Sequence, residues 1–132
     1  MSAINRGRQM WVFTRYGFFS AVCARTGTGK HSDPVDPQRM MIRARSRTHL
    51  EALLKRFPVQ LSGLSVQETK STDYAYRIFV DKPVWVEVLA DIADETDYDN
   101  FKDAVAEHQG AGGRDYAHSL HEVWDVMHRL QR

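Results

Sequence analysis

Arginine recurs at every second position from Arg43 to Arg47, and Arg77 closes the aromatic run Asp73-Tyr74-Ala75-Tyr76-Arg77. Residues two apart on an extended chain share a face, so Arg43 and Arg45 point the same way. If the segment holding Arg77 is a neighbouring strand in register, three guanidinium groups converge on one side of a sheet. Such planar forks suit phosphate or carboxylate. Tyr76 would offer a ring on which a base stacks, although a regular strand turns it to the face opposite Arg77. Asn100 and Lys102 lie near the start of a later helix, where free backbone N–H groups favour an anion. The candidate anion-binding set is therefore Arg43, Arg45, Arg77, Tyr76, Asn100 and Lys102. Each member has a plainer explanation beside this one. Arginines protect an edge strand from aggregation or pair with acidic helices, and Asp73 and Asp97 each precede a regular element whose end they can tie.

Two further patterns carry less. Gly27-Thr28-Gly29-Lys30 matches the end of a phosphate-binding loop, but Ala24 stands at the first glycine position and His31 replaces the metal-binding hydroxyl. The segment then runs into Pro34 and Pro37 instead of a helix. His118, Glu122 and Asp125 share a helical face, with Leu120, Val123 and Met127 on the other side. A solvated polar face is the expectation there, and no metal site is predicted. No cofactor is expected either. Catalysis on a phosphodiester or nucleotide would have Arg43, Arg45 and Lys102 hold phosphate while Asp73 or His49 moves a proton. No nucleophile is paired with a base in the sequence, so a binding role ranks above an enzymatic one.

What must position these residues is one domain's worth of chain. The 132 residues are 42% hydrophobic and 27% charged, ordinary for a folded domain. The single cysteine, Cys23, excludes an internal disulfide and a cysteine-based zinc site. No apolar run approaches the roughly 20 residues of a membrane span, and Met1–Arg8 lacks a signal peptide's apolar region. The expected location is the cytoplasm, with no membrane partner. The net charge of +1 hides a split. Residues 1–58 hold eleven Lys or Arg against three Asp or Glu, a balance of +8, and residues 59–132 hold seven against fourteen, a balance of −7. A basic half favours a polyanionic partner, a nucleic acid or another phosphorylated ligand. It equally suits two halves that attract one another, within one chain or between two chains of a homodimer.

The elements follow from patterning. Residues 1–9 are expected to be flexible and 10–132 to form one domain. Met10–Ala24 has strand composition, with Gly17 as an interruption or bulge. Thr26–Gln38 reads as a loop and Met40–Arg45 as a second strand, giving a long antiparallel hairpin. Thr48 and Glu51 have capping-box spacing at the head of a helix with a Leu50, Leu53, Leu54, Phe57 stripe, which Pro58 ends. A short strand is suggested at Ser65–Thr69, and Tyr74–Val80 alternates as a strand. Asp81 and Pro83 start a second helix with Val84, Trp85, Val88, Leu89 and Ile92 inward. Thr96-Asp97 starts a third, with Tyr98, Phe101 and Val105 on its apolar side. Gly110–Gly113 forms a linker. The last helix runs from about Tyr116 to Leu130, with Leu120, Val123, Trp124, Met127 and Leu130 inward. Strands early and helices late predict an α+β fold: an antiparallel sheet of three to four strands, a first helix inserted, and three C-terminal helices packed on it.

Four blocks also resemble a family of small uncharacterised bacterial proteins with no established activity. They are Met10-Trp11-Val12-Phe13-Thr14 leading to Gly17-Phe18-Phe19-Ser20, then Ile42-Arg43-Ala44-Arg45, Asp73-Tyr74-Ala75-Tyr76-Arg77, and Tyr98-Asp99-Asn100-Phe101-Lys102. The resemblance runs from Met10 to the last helix. It implies that Thr14, Gly17, Ser20, Arg43, Arg45, Asp73, Tyr76, Arg77, Tyr98, Asn100, Phe101 and Lys102 are signature positions, and that the 26–38 loop is an insertion.

Overall fold

A computed structural model describes residues 9–131. Of the segment expected to be flexible, residues 1–8 lie outside the described residues.

The fold is α+β. Strands β1 (Met10–Thr14), β2 (Gly17–Arg25), β3 (Val35–Ala44), β4 (Gln67–Glu68) and β5 (Tyr76–Asp81) form one sheet in the order β1-β2-β3-β5-β4. Every pairing is antiparallel. Helix α1 (Arg47–Arg56) follows β3, and α2 (Lys82–Asp94), α3 (Phe101–Gln109) and α4 (Arg114–His128) follow β5. The sheet has five strands, one more than the upper expectation, because Met10–Ala24 is two strands and not one. Thr14 folds the chain back: its hydroxyl accepts from the Tyr16 and Gly17 N–H groups and donates to the Gly17 carbonyl. Gly17 thus opens β2, and the apparent bulge is a hairpin turn.

Val12, Phe19, Ala21, Ile42, Ala44, Ile78 and Val80 project to one face of the sheet. Leu50, Leu53 and Phe57 of the first helical segment and Trp85 and Val88 of α2 cover them, forming the main core. Burying each large side chain contributes about 1.5–3 kcal/mol. Phe13 and Phe18 project to the opposite face, stacked with centroids 4.6 Å apart. There they meet Val105 of α3 and Tyr116 and Leu120 of α4 in a second, smaller core.

Several expected boundaries move. β3 starts at Val35, inside the expected loop, and its register to β2 shifts between Cys23 and Ala24, beside Pro37, which has no N–H for the ladder. Helix α1 begins at Arg47, before Thr48, so no capping box forms; the Thr48 hydroxyl bonds Ser46 instead. Helix α3 begins at Phe101 and not at Thr96, because the Asn100 side chain, accepting from the Asp103 N–H, is the cap. Gly110–Gly113 is a 3-10 turn joining α3 to α4. In α4 only the first half packs inward. Leu120 is buried, while Trp124 and Met127 of α4, and Leu130 just beyond it, are 49%, 56% and 74% exposed. No helix among the described residues is long and apolar enough to cross a membrane.

Candidate functional site

The register aligns Trp11, Ser20, Arg43, Arg77 and Gln67 in one row across all five strands, on the face away from α1 and α2. Arg43 and Arg77 are direct cross-strand partners. Like charges at opposed positions destabilise a sheet, so this pairing is a cost that packing alone does not explain.

The partners of the arginines are mostly neutral. Arg43 donates from Nη2 to Gln9 Oε1 at 2.7 Å and to Ser20 Oγ at 2.8 Å, and its Nε is buried with no partner. Burial first, then the charges of Arg77 and Arg45, pull its pKa below the ordinary arginine value, against the opposing influence of Tyr74 and Asp73. Arg77 donates to Thr69 Oγ1, Thr72 Oγ1 and the Tyr74 carbonyl. Arg45 alone has a carboxylate, donating from Nη1 to Asp73 Oδ1 at 3.0 Å and to the Asp73 carbonyl at 2.9 Å. Among the described residues, three guanidinium groups therefore share one carboxylate. The acidic helices pair elsewhere: Glu95 with Arg56 and Asp97 with Arg15, while Arg47 pairs with Glu51 and Glu68.

The aromatic residue among the arginines is Tyr74, and not Tyr76. Tyr76 packs partly buried against the main core, one alternation away from Arg77. β5 starts only at Tyr76, so Tyr74 sits in the preceding coil and escapes that alternation. Its ring is 4% exposed, with the Arg43 guanidinium carbon 4.6 Å and the Arg45 one 4.2 Å from its centroid. The turn-forming run Ser71-Thr72-Asp73 was the available signal that the strand begins late.

Tyr74 and Arg45 also line a cavity of about 560 Å³ between the sheet and α4. That volume lies in the usual range for a small-molecule site. Its floor is aromatic, with Trp11, Phe13 and Phe18 from the β1–β2 hairpin. Arg45, Thr48 and His49 also line it, as do Gln109, Asp115 and Tyr116, and the His49 and Tyr116 rings meet edge to face with centroids 4.7 Å apart. His49 Nδ1 accepts from the Phe18 N–H at 3.2 Å, so a neutral ring holds its proton on Nε2. Burial lowers its pKa below the ordinary histidine value, and protonating Nδ1 would cost the bond from Phe18. A Cβ on Gly17 would sit 2.2 Å from His49 Cγ, so glycine is what admits the ring. The Tyr116 hydroxyl donates to the Thr14 carbonyl at 2.6 Å, and burial raises its pKa.

Asn100 and Lys102 are not part of this group. They line a second cavity, of about 420 Å³, beyond Phe13, Leu120 and Val123. The Asn100 side chain is engaged in capping, and Lys102 Nζ lies 5.1 Å from the Trp124 ring centroid. The structure thus gathers Arg43, Arg45 and Arg77, and separates Tyr76, Asn100 and Lys102 from them. His118 and Glu122 form an i,i+4 pair, as do His121 and Asp125, and the described residues contain no cluster of metal-ligating side chains. Lys30 lies in the β2–β3 turn, where its N–H donates to Asp33. Asp73 is committed to Arg45, which leaves His49 as the cavity's one imidazole with a free edge. No protein-family model, curated protein or solved structure matches the chain.

Proposed function

We propose that the protein is a binding domain for a phosphorylated ligand that carries a flat ring, a nucleotide or an unpaired nucleotide of a nucleic-acid strand. The observation that carries this reading is that Arg43, Arg45 and Arg77 share a single carboxylate beside an aromatic-lined cavity. An excess of guanidiniums over carboxylates attracts phosphate, and Trp11, 59% exposed beside Phe18, offers a ring to a base. Arg45, at the lip of the cavity, receives the phosphate, while Arg43 and Arg77 supply the field that draws it there. We also place the chain with the small bacterial proteins it resembles. Three of the resembling blocks meet here, through Ser20 with Arg43 and Asp73 with Arg45.

Titration of fluorescently labelled single-stranded RNA and DNA tests the reading. Binding should weaken with salt, because each phosphate contact releases counterions, with a slope of about −0.7 per contact for a single strand. Arg45→Ala should weaken it for every sequence. Absence of binding at low salt, or binding indifferent to salt, overturns the reading.

A second reading is self-assembly through the end of α4, favoured by the exposed Trp124 and Met127 there and Leu130 just beyond it. A homodimer built this way loses its contact in Trp124→Ser. Light scattering across a concentration series distinguishes this from a monomer, which would remove the reading.

A further inference from the structure

Resting on the nucleotide reading, we propose that a single strand of nucleic acid crosses the uncovered part of the sheet along the arginine row, with Phe79 as a second base-stacking ring. The face that carries Arg43 and Arg77 does not end at them. Two residues further along the strands, the register pairs Val22 with Met41 and Met41 with Phe79, on that same face. Arg39, two residues beyond Met41, follows on it, with its guanidinium carbon 5.5 Å from the Phe79 ring centroid. Val22, Met41 and Phe79 are half-buried, and none of them belongs to either core. Helices α1 and α2 build their core on the opposite face, and α3 and α4 build theirs at Phe13 and Phe18. An apolar strip with a ring at its β5 end is therefore left beside the arginines.

Exposed Trp11 stands at the β1 end of the arginine row, and Phe79 flanks its β5 end. The two are three strand spacings apart across the sheet and two residues apart along it, roughly 16 Å in all. One base cannot touch both, whereas several nucleotides of one strand can. Charge selects the occupant. Among the described residues, Arg43 and Arg77 have no carboxylate partner, and Arg39 has only Asp81, at 3.8 Å. Residues 1–8 add Arg6 and Arg8 and no carboxylate. A second copy laid face to face would set arginine against arginine, which like-charge repulsion disfavours. A chain of phosphates carrying flat rings answers both features: the phosphates meet the guanidinium groups, and the bases meet Trp11 and Phe79.

Titration at low salt with single-stranded oligonucleotides, from a mononucleotide to about a dozen nucleotides, tests this on the parent and two variants. Affinity should climb until the strand reaches both rings, at about four nucleotides, the lower end of site sizes on stacking platforms, and gain little beyond. Phe79→Leu keeps an apolar side chain and removes the stacking surface. It should weaken a long strand about tenfold, as the loss of one stacked base does, and leave mononucleotide binding unchanged. Arg39→Gln, on the exposed end of the strip, should reduce the salt slope for a long strand by about 0.7, with an unchanged thermal midpoint showing that the fold is intact. A long strand no tighter than a mononucleotide, or two variants that bind it as the parent does, overturns the path across the sheet and leaves the cavity reading standing. Displacement of the strand by polyglutamate as readily as by another strand makes the face a dock for an acidic protein and overturns the proposal too. Failure of every mononucleotide and every oligonucleotide to bind removes both.

Discussion

The two faces of the sheet are built by opposite rules. The face under α1 and α2 is apolar at its centre: Phe19, Ile42 and Ile78 meet Leu50, Leu53 and Val88, all almost wholly buried. The other face carries Arg43 opposite Arg77, a buried guanidinium nitrogen without a partner, and a cavity that α4 only half closes. The first arrangement is what stability requires. The second gives stability away at several positions, and the positions it gives away are those where a ligand can supply what is missing. The proposed binding role therefore rests on the face that packs worse.

Mutations can break or sharpen that contrast. The largest effect belongs to the closed face. Leu53→Ala removes a fully buried side chain and should cost about 2–5 kcal/mol in denaturant unfolding; a cost under 1 kcal/mol would mean the main core is not where stability resides. Next comes the joint between the faces. Gly17→Ala forces a methyl into the space of the His49 ring and should cost about 1–3 kcal/mol, the usual range for overpacking, with loss of ligand binding as the ring is displaced.

His49 also sets a pH dependence. Its folded pKa is depressed, so the folded state binds fewer protons than the unfolded chain as the pH falls below about 6.5. This contribution to stability is complete above that pH and lost as the pH drops through the folded pKa. His49→Asn keeps an acceptor for the Phe18 N–H but does not titrate, so the thermal midpoint should fall less between about pH 6.5 and pH 5 than in the parent. Identical curves would show that His49 is not buried as described. The smallest stability effect should come from the open face. Arg43→Met replaces a half-buried cation that lacks a carboxylate, and such replacements are close to neutral or stabilising. The midpoint should stay or rise while oligonucleotide affinity drops. A strongly destabilised Arg43→Met would make the arginine row a structural device and erase the contrast.

Much of this was legible beforehand. The α+β class, the long hairpin, the Leu50–Phe57 stripe and the register-dependent approach of Arg43 to Arg77 all follow from periodicity, which is local. What escaped was local structure decided by one side chain. Thr14 turned an expected bulge into a hairpin, and Asn100 moved the start of α3 by capping it. The candidate site was legible in its cations and not in its cavity. Trp11, His49 and Tyr116 come from three separate segments, and nothing in their spacing announces that they meet. Tyr74 was misplaced by one alternation, since the strand starts two residues later than the pattern suggests.

The amino-acid sequence alone determined which residues are apolar at which period, where chains of charge lie, and hence which faces of which elements seek burial. Those quantities depend on neighbours a few positions away. Tertiary structure alone decided that the acidic helices pair away from the arginine row, that Trp124 is left exposed, and that a cavity opens between the sheet and α4. Each of these is a matter of which surfaces reach each other across the fold, where a shift of one residue in register sends a side chain to the opposite face.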